Sequence, residues 1–204
     1  ERIPAVVKFF MEVQQRYGLT IDNVLDVGCG NGRIGLHLAR LGYHVTGIDF
    51  VPSALAHFRD SAKRMDVESN VRLFECDIRG TWNVSAASMD AVFAVTVIEN
   101  LITEQNITNF IRQCKNILRG GGVLVLEWYS PLDAYYGVLP DVGDSLYSKI
   151  VLNKKNNIQF RLFTFKEIQQ RFRKEFNVID KNTMHFKSKK YGATFTRESE
   201  IVIF

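Results

Sequence analysis

The chain has 204 residues, of which 46% are hydrophobic and 24% are charged. This balance is ordinary for a globular protein with a sizeable core, and it excludes a disordered chain, a collagen and a coiled-coil rod. The net charge of +4 hides an uneven distribution. Residues 1–148 hold 13 Lys and Arg against 17 Asp and Glu, whereas residues 149–204 hold 13 against 5. We therefore expect the acidic stretch and the basic stretch to have different functions.

Targeting and metal signals are weak throughout the sequence. No apolar run approaches the ~20 residues that a membrane span needs. The opening Glu-Arg-Ile-Pro resembles neither a signal peptide nor a normal translation start, so we expect a longer full-length chain. The three widely spaced cysteines argue against a disulfide framework and favour the reducing cytoplasm. The four histidines form no ligand pair, and no metal site is expected.

The predicted elements alternate between helices and strands. In chain order they are a helix over 4–17, a strand over 23–27, a helix over 33–41, a strand over 44–49, a helix from Pro52, strands over 71–76 and 90–97, a helix after Thr103 that ends at Gly120–Gly122, and a strand over Val123–Trp128. Such alternation favours right-handed crossovers and a parallel sheet covered on both faces.

The alternation of strands and helices stops after the fifth strand. Residues 129–163 are rich in Tyr, Pro, Gly, Asp and Asn, and they predict a long excursion of the kind that is usually functional. Thr164 and Glu167 fit a capping box that begins a helix reaching about Phe176. Residues 177–182 and 195–204 then predict two strands, which we interpret as a hairpin with a long connection.

A glycine-rich turn follows the first strand, and an acid ends each of the next two. The turn begins at Asp26 and carries Gly28, Gly30 and Gly32. Glycines allow a sharp turn and a close approach to a ligand, and open parallel sheets bind ligands at the carboxyl ends of their strands. Asp49 could accept both hydroxyls of a ribose, and Asp77 could accept an adenine amino group. Together these residues predict a nucleoside-shaped site.

The spacing Gly-x-Gly-x-Gly, with an acid two residues before it, resembles the class I S-adenosylmethionine-dependent methyltransferases. A nicotinamide dehydrogenase is disfavoured, because its fingerprint Gly-x-Gly-x-x-Gly would place the third glycine at position 33, which is Arg. The resemblance covers roughly residues 22–128. Val95–Leu101 resembles the family's fourth motif, and Arg119–Gly122 resembles the Pro-Gly-Gly turn before its fifth strand.

The resemblance implies a Rossmann-like α/β fold, a three-layer αβα sandwich. Its seven-stranded sheet is expected to be mostly parallel, with one antiparallel strand near the C-terminus. A single domain over 1–204 would comprise an N-terminal helix or lid (1–20), a cofactor-binding core (22–128), a substrate-side excursion (129–163) and a C-terminal helix with strands (164–204).

The implied cofactor is S-adenosyl-L-methionine, and the implied product is S-adenosyl-L-homocysteine. The residues expected to bind the cofactor come from the three strand ends and from the end of the fourth strand. They are Asp26, Gly28, Cys29, Gly30, Gly32, Asp49, Phe50, Asp77, Ile78 and Val95.

The acceptor side departs from the family, because Asn100 stands where many small-molecule members carry a histidine. Candidate catalytic residues therefore come from the end of the fifth strand and from the excursion, namely Glu127, Tyr129 and Asp133. Glu127 or Asp133 could bind or deprotonate an acceptor, and tyrosines could form the pocket wall.

The predicted function is methyl transfer to an O or N atom of a small-molecule acceptor, which the basic stretch after residue 148 suggests could be anionic. One alternative is an RNA methyltransferase that uses this stretch. Another is a non-catalytic protein that binds S-adenosylmethionine, which the missing histidine would suit. Nucleic acid is thus the less favoured partner, and no metal is expected.

Overall fold

The structure is a computed structural model that describes residues 3–143 and 148–204. The chain divides into two compact units. The first comprises Glu1–Val95 with Asn109–Val125, and the second comprises Thr96–Thr108 with Leu126–Phe204. Within the described ranges, no helix combines the length and the apolar character that a membrane crossing requires.

The first unit contains the alternating strands and helices. They are α1 (Ala5–Tyr17), β1 (Asn23–Val27), α2 (Gly35–Arg40), β2 (His44–Asp49), α3 (Pro52–Arg64), β3 (Val71–Glu75), β4 (Met89–Val95), most of α4 (Glu104–Ile117) and the first part of β5 (Leu118–Tyr129). β1 pairs in parallel with both β2 and β4, and β2 pairs in parallel with β3. These parallel pairs bring the carboxyl ends of β1 and β2 side by side.

The second unit contains the end of β5 and the C-terminal elements. They are β6 (Lys149–Asn153), β7 (Ile158–Leu162), α5 (Phe165–Phe172), β8 (Asp180–Lys190) and β9 (Ala193–Ile203). α5 begins with the predicted capping box, in which the Thr164 side chain and Glu167 bond each other's backbone N–H groups. β8 and β9 pair antiparallel along their whole length.

The strands form one seven-stranded mixed sheet in the order β3-β2-β1-β4-β5-β9-β8. This arrangement, with its antiparallel C-terminal pair and flanking helices, confirms the predicted fold class. The division into an N-terminal lid, a core, an excursion and a C-terminal part stays a prediction.

Three local predictions were wrong. The glycines at 120–122 lie inside β5 rather than ending α4, which ends at Ile117. The segment 129–163 contains an antiparallel hairpin, β6–β7, in addition to loops, and its residues 144–147 lie outside the described part of the chain. β8 and β9 are joined by Tyr191 and Gly192 alone, both at positive φ, which is the tight turn that suits a twisted hairpin.

Phe10 is one of five buried residues of α1, and two other aromatic rings contact it. Phe10 is fully buried, and its ring meets that of Phe93 on β4 edge-on at a centroid distance of 4.9 Å. The ring of Tyr43 lies 6.0 Å away on another side. Edge-to-face pairs of this kind add to the free energy gained by burial alone.

We expect Phe10→Ala to lower the free energy of unfolding by about 3–5 kcal/mol, because it leaves a cavity between α1 and β4. Urea denaturation measures the change. The control is Met11→Ala on the exposed side of the same helix, which should cost within about 0.5 kcal/mol. Equal losses in the two variants would contradict this account of how α1 is held.

Candidate functional site

The glycine turn between β1 and α2 adopts backbone conformations that side chains disfavour. Gly28, Gly30 and Gly32 have φ values of 62°, 52° and 88°. A Cβ on Gly32 would lie 2.4 Å from the Phe58 ring, whereas a Cβ on Gly30 would meet no atom within 4 Å. The turn is therefore packed on one side by α3 and open at Gly30, which leaves room for a ligand to approach the backbone.

Asp49, the last residue of β2, ties this turn to the next strand. Its Oδ2 accepts a hydrogen bond from the Gly30 N–H at 2.9 Å, and its Oδ1 accepts one from the Val51 N–H at 2.9 Å. A carboxylate offers about four acceptor positions. The side chain can therefore hold the turn in place and still accept two hydroxyl groups.

Asp26 lies beneath the turn and is almost completely buried. Its Oδ2 accepts the Gly35 N–H at 3.0 Å at the start of α2. Burial raises the pKa of Asp26 to about 7, against the lowering effects of the Gly35 N–H and the Arg33 charge. Asp26 therefore orients the beginning of α2 through the Gly35 N–H and does not present an exposed charge to a ligand.

The third strand end is held by contacts that sequence reasoning missed. Trp82 donates its ring N–H to the Ile78 carbonyl at 2.9 Å, and its ring packs edge-on against Phe110 of α4. Asp77 is bound by the Arg79 guanidinium, with 2.6 Å between Nη2 and Oδ2, and this contact lowers the pKa of Asp77. A lone tryptophan in a loop carries no sequence signal for this role.

The remaining predicted cofactor residues differ in exposure. Phe50 is 65% exposed directly after Asp49, whereas Cys29 and Val95 are buried. An exposed phenylalanine beside the Asp49 carboxylate offers a flat apolar surface for a ligand ring. All ten predicted cofactor residues belong to the first unit.

The three predicted catalytic residues belong to the second unit, where Tyr129 and Asp133 contact Arg197 of β9. The Arg197 guanidinium lies over the Tyr129 ring at 4.2 Å from its centroid. Its Nε donates to Asp133 Oδ2 at 2.7 Å, and both side chains of this ion pair are almost fully buried. Glu127 accepts a hydrogen bond from the Ser199 hydroxyl at 2.9 Å.

Asp133 already accepts four hydrogen bonds. Its Oδ1 receives the N–H groups of Tyr135 and Tyr136, and its Oδ2 receives the Glu198 N–H in addition to Arg197. Four donors fill the capacity of a carboxylate. This geometry favours a positioning role for Asp133, and its predicted catalytic role stays a prediction.

Glu99 is a buried acid that the sequence reasoning did not identify. It lies in a short 3₁₀ turn, Ile98–Asn100, after β4, and its side chain is buried. Burial raises the pKa of Glu99 to about 8. The available signal was its place in the fourth motif beside Asn100, but sequence alone does not show burial.

Arg161 of β7 connects the hairpin β6–β7 to the segment after β4. The guanidinium is buried, donates to the Ile102 carbonyl at 3.0 Å and pairs with Glu104. Arg171 of α5 pairs with the same carboxylate. Arg161, which lies in the predicted excursion, thus bonds to the segment that follows Glu99.

Comparisons with known proteins agree with this fold. Residues 24–122 match the sequence family described as a methyltransferase domain. A ubiquinone biosynthesis O-methyltransferase of Xanthomonas oryzae pv. oryzae is 34% identical over 115 residues, which are 56% of this chain and 46% of that protein. The chain thus spans about half the length of the curated relatives it matches.

Two solved structures share the fold at low sequence identity. An S-adenosylmethionine-dependent methyltransferase of Methanosarcina mazei has a TM-score of 0.75 at 17% identity, with 93% of this chain and 95% of that one covered. A glycopeptide N-methyltransferase in complex with S-adenosylmethionine has a TM-score of 0.64 at 18% identity, with 95% and 91% covered.

The matched region contains the glycine turn and the acids at the ends of β2 and β3, in the order that the resemblance implied. Residues 24–122 therefore resemble a methyltransferase domain, and the chain shares its fold with S-adenosylmethionine-dependent methyltransferases of known structure. The glycine turn is the element that carries this resemblance in the sequence.

We expect Gly32→Ala to destabilise the first unit, because alanine there must adopt φ near 88° and its Cβ would collide with the Phe58 ring. The left-handed conformation alone costs about 1–2 kcal/mol. Thermal unfolding measures the loss. The control is Gly120→Ala, where a Cβ meets open space and φ is unrestrictive. A Gly32 variant as stable as the Gly120 variant would refute the close packing of the turn.

We expect Asp26 to make stability pH-dependent. Since burial raises its pKa from 3.8 to about 7, the folded state retains a proton that the unfolded chain releases. Its contribution to the free energy of unfolding is full below about pH 4 and is lost as the pH rises through 7. Urea denaturation across this range should show a steeper fall for the wild type than for Asp26→Asn. The exposed Asp22→Asn should keep the wild-type slope.

Proposed function

We propose that the protein transfers the methyl group of S-adenosylmethionine to an O or N atom of a small-molecule acceptor by in-line displacement. The observation that carries this proposal is the glycine turn bonded to Asp49, open at Gly30 and with acceptor positions left on the carboxylate. The names of the relatives support it, since they include an O-methyltransferase and an N-methyltransferase.

The first unit offers complementary groups for each part of the cofactor. When bound, the cofactor supplies a methyl group on a sulfonium, which is a good leaving group. Asp49 would accept the ribose hydroxyls, while the backbone of the open turn would lie against the methionine part. Ile78 and the exposed Phe50 would enclose the adenine, and Asp77 would accept its amino group.

The second unit offers groups for the acceptor. Alignment supplies most of the rate in such a displacement, and well-oriented reactions gain on the order of 7 kcal/mol or more. The Tyr129 ring would form a wall against the acceptor, and Glu127, oriented by Ser199, would bind it. Asp133 would act indirectly by holding Arg197.

We also propose a cytoplasmic location, which the cysteines support. Cys29, Cys76 and Cys114 are buried and free of disulfides. Burial raises the pKa of each thiol, so all three are protonated and unreactive near neutral pH. Reduced structural cysteines are typical of reducing compartments.

We expect Asp49→Ala to weaken the binding of S-adenosylhomocysteine by at least about 10²-fold, measured by calorimetry. The variant loses the ribose acceptor and the anchor of the Gly30 N–H, and each hydrogen bond to a charged group contributes about 1.5–3 kcal/mol. Asp60→Ala removes an exposed carboxylate from α3 and should bind like the wild type.

Circular dichroism should show that both variants remain folded. The proposed function fails if folded wild-type protein does not bind S-adenosylhomocysteine, and the assignment of Asp49 fails if its variant binds as tightly as the Asp60 variant.

A further inference from the structure

A cavity of about 440 Å³ lies between α2 and α3 of the first unit. Its walls come from the glycine turn that precedes α2, from α2 itself and from the last turn of α3. Arg33 and Arg64 line it together with His37. Sites for small molecules commonly measure about 300–1,000 Å³. The cavity is therefore large enough to hold a small ligand.

The charges that line this cavity are all positive. Two guanidinium groups line it, and no acid does so among the residues that the structure describes. This contrasts with the surrounding chain, because residues 1–148 hold 17 Asp and Glu against 13 Lys and Arg. Like charges that share a cavity repel each other, and an anion bound between them relieves the repulsion. The lining therefore selects an anionic ligand.

The Arg64 guanidinium is oriented by its own helix. Its Nη2 donates to the Ser61 hydroxyl oxygen at 2.7 Å, and Ser61 also lines the cavity. Because a guanidinium has five N–H donors, most of them remain for a ligand. A side chain that is already oriented loses less conformational freedom when it binds. The serine therefore prepares Arg64 for an anion.

The backbone of Arg33 is fixed by the glycine turn. Arg33 directly follows Gly32, which packs against the Phe58 ring so closely that a Cβ there would collide with it. The Gly32 carbonyl accepts the Leu36 N–H at 2.9 Å. Both Arg33 and Arg64 are exposed, so a ligand can reach them from solvent.

The rest of the lining indicates what the anion is attached to. Leu36 and Met65 are half-buried and offer apolar surface to the cavity, and Asn31 adds an amide. An inorganic anion would fill only a small part of this volume. The planar fork of an arginine matches the oxygens of a phosphate group and can bind two of them at once. The lining therefore fits a phosphate group that carries an apolar organic part.

We propose that this cavity is a second binding site, which takes small organic phosphate monoesters. Arg33 and Arg64 bind the phosphate oxygens, while Leu36 and Met65 pack against the organic part. None of the described lining residues is among the ten predicted cofactor residues. The site therefore does not depend on the proposed methyl transfer. Because Arg33 belongs to the glycine turn, its ligand contacts the same turn that carries Gly30.

The test titrates the whole chain with phenyl phosphate and follows the backbone amides by two-dimensional NMR. We expect the largest shift changes within residues 31–37 and 61–65. Phenyl phosphate should bind at least about 10-fold more tightly than inorganic phosphate, because its ring buries apolar surface on Leu36 and Met65. Benzyl alcohol, which has a ring but no charge, should not bind at the same concentrations.

Two variants test the assigned arginines. Arg33→Gln and Arg64→Gln should each weaken the binding of phenyl phosphate by at least about 10-fold, because each removes charge-assisted hydrogen bonds to the phosphate. The matched control is Arg59→Gln, which removes an exposed positive charge from α3 outside the cavity and should bind like the wild type. All three side chains are exposed, so the variants should remain folded, as circular dichroism can verify.

The possible outcomes distinguish this site from general charge attraction and from the cofactor site. Equal weakening in all three arginine variants, or no binding of phenyl phosphate to the wild type, would overturn the proposal. Displacement of phenyl phosphate by S-adenosylhomocysteine would overturn it as well, because the phosphate would then occupy the proposed cofactor site. If S-adenosylhomocysteine does not bind at all, the proposed function fails, and the arginine variants alone decide the present inference.

Discussion

The glycine turn of the first unit is held by the Asp49 carboxylate, which accepts the N–H groups of Gly30 and Val51. Asp49 ends β2, yet it accepts the N–H of Gly30 from the turn after β1. This contact is available because β1 and β2 are parallel neighbours with Val27 opposite Ile48. The sheet register therefore places the acid beside the turn. The same carboxylate keeps acceptor positions free, so the contact that stabilises the turn also shapes a ligand site.

The second unit is organised around the buried guanidinium of Arg197. Arg197 bonds Asp133 and lies against the Tyr129 ring, while Asp133 gathers three backbone N–H groups from two segments. Burying such a pair is costly, and removing one partner leaves an uncompensated charge that destabilises a fold strongly. The pair therefore specifies how the segment after β5 attaches to β9. It also places a positive charge near Glu99, which partly opposes the effect of burial on that acid.

Sequence reasoning succeeded where the determinants are local. The glycine turn, the acid that ends each strand and the capping box at Thr164 are short patterns whose geometry follows from neighbouring residues. It failed where partners are distant. Arg197 and Asp133 are 64 positions apart, and no periodicity marks either as buried. The hairpin β6–β7 was missed because its two strands have five residues each and lie among Asn and Lys, a composition that is also typical of loops.

The burial of Glu99 could not be predicted for a related reason. The 3₁₀ turn is short, and its neighbours Ile98 and Asn100 are respectively buried and exposed, so the pattern alone does not indicate where an acid between them points. The turn is held by contacts with distant residues, because the Thr96 N–H donates to the Glu127 carbonyl and Arg161 donates to the Ile102 carbonyl. A buried acid in a motif is therefore a structural finding, even when the motif itself is recognisable.

The charge excess after residue 148 has a physical explanation in the fold. Three of its arginines form ion pairs within the second unit, namely Arg161, Arg171 and Arg197. Exposed lysines, including Lys187 and Lys189, lie instead on β8, which is an edge strand of the sheet. Edge strands present unpaired backbone groups, and lysines there prevent pairing with other chains. The basic stretch thus combines internal ion pairs with protection of a sheet edge, and the charge alone does not argue for a polyanionic partner.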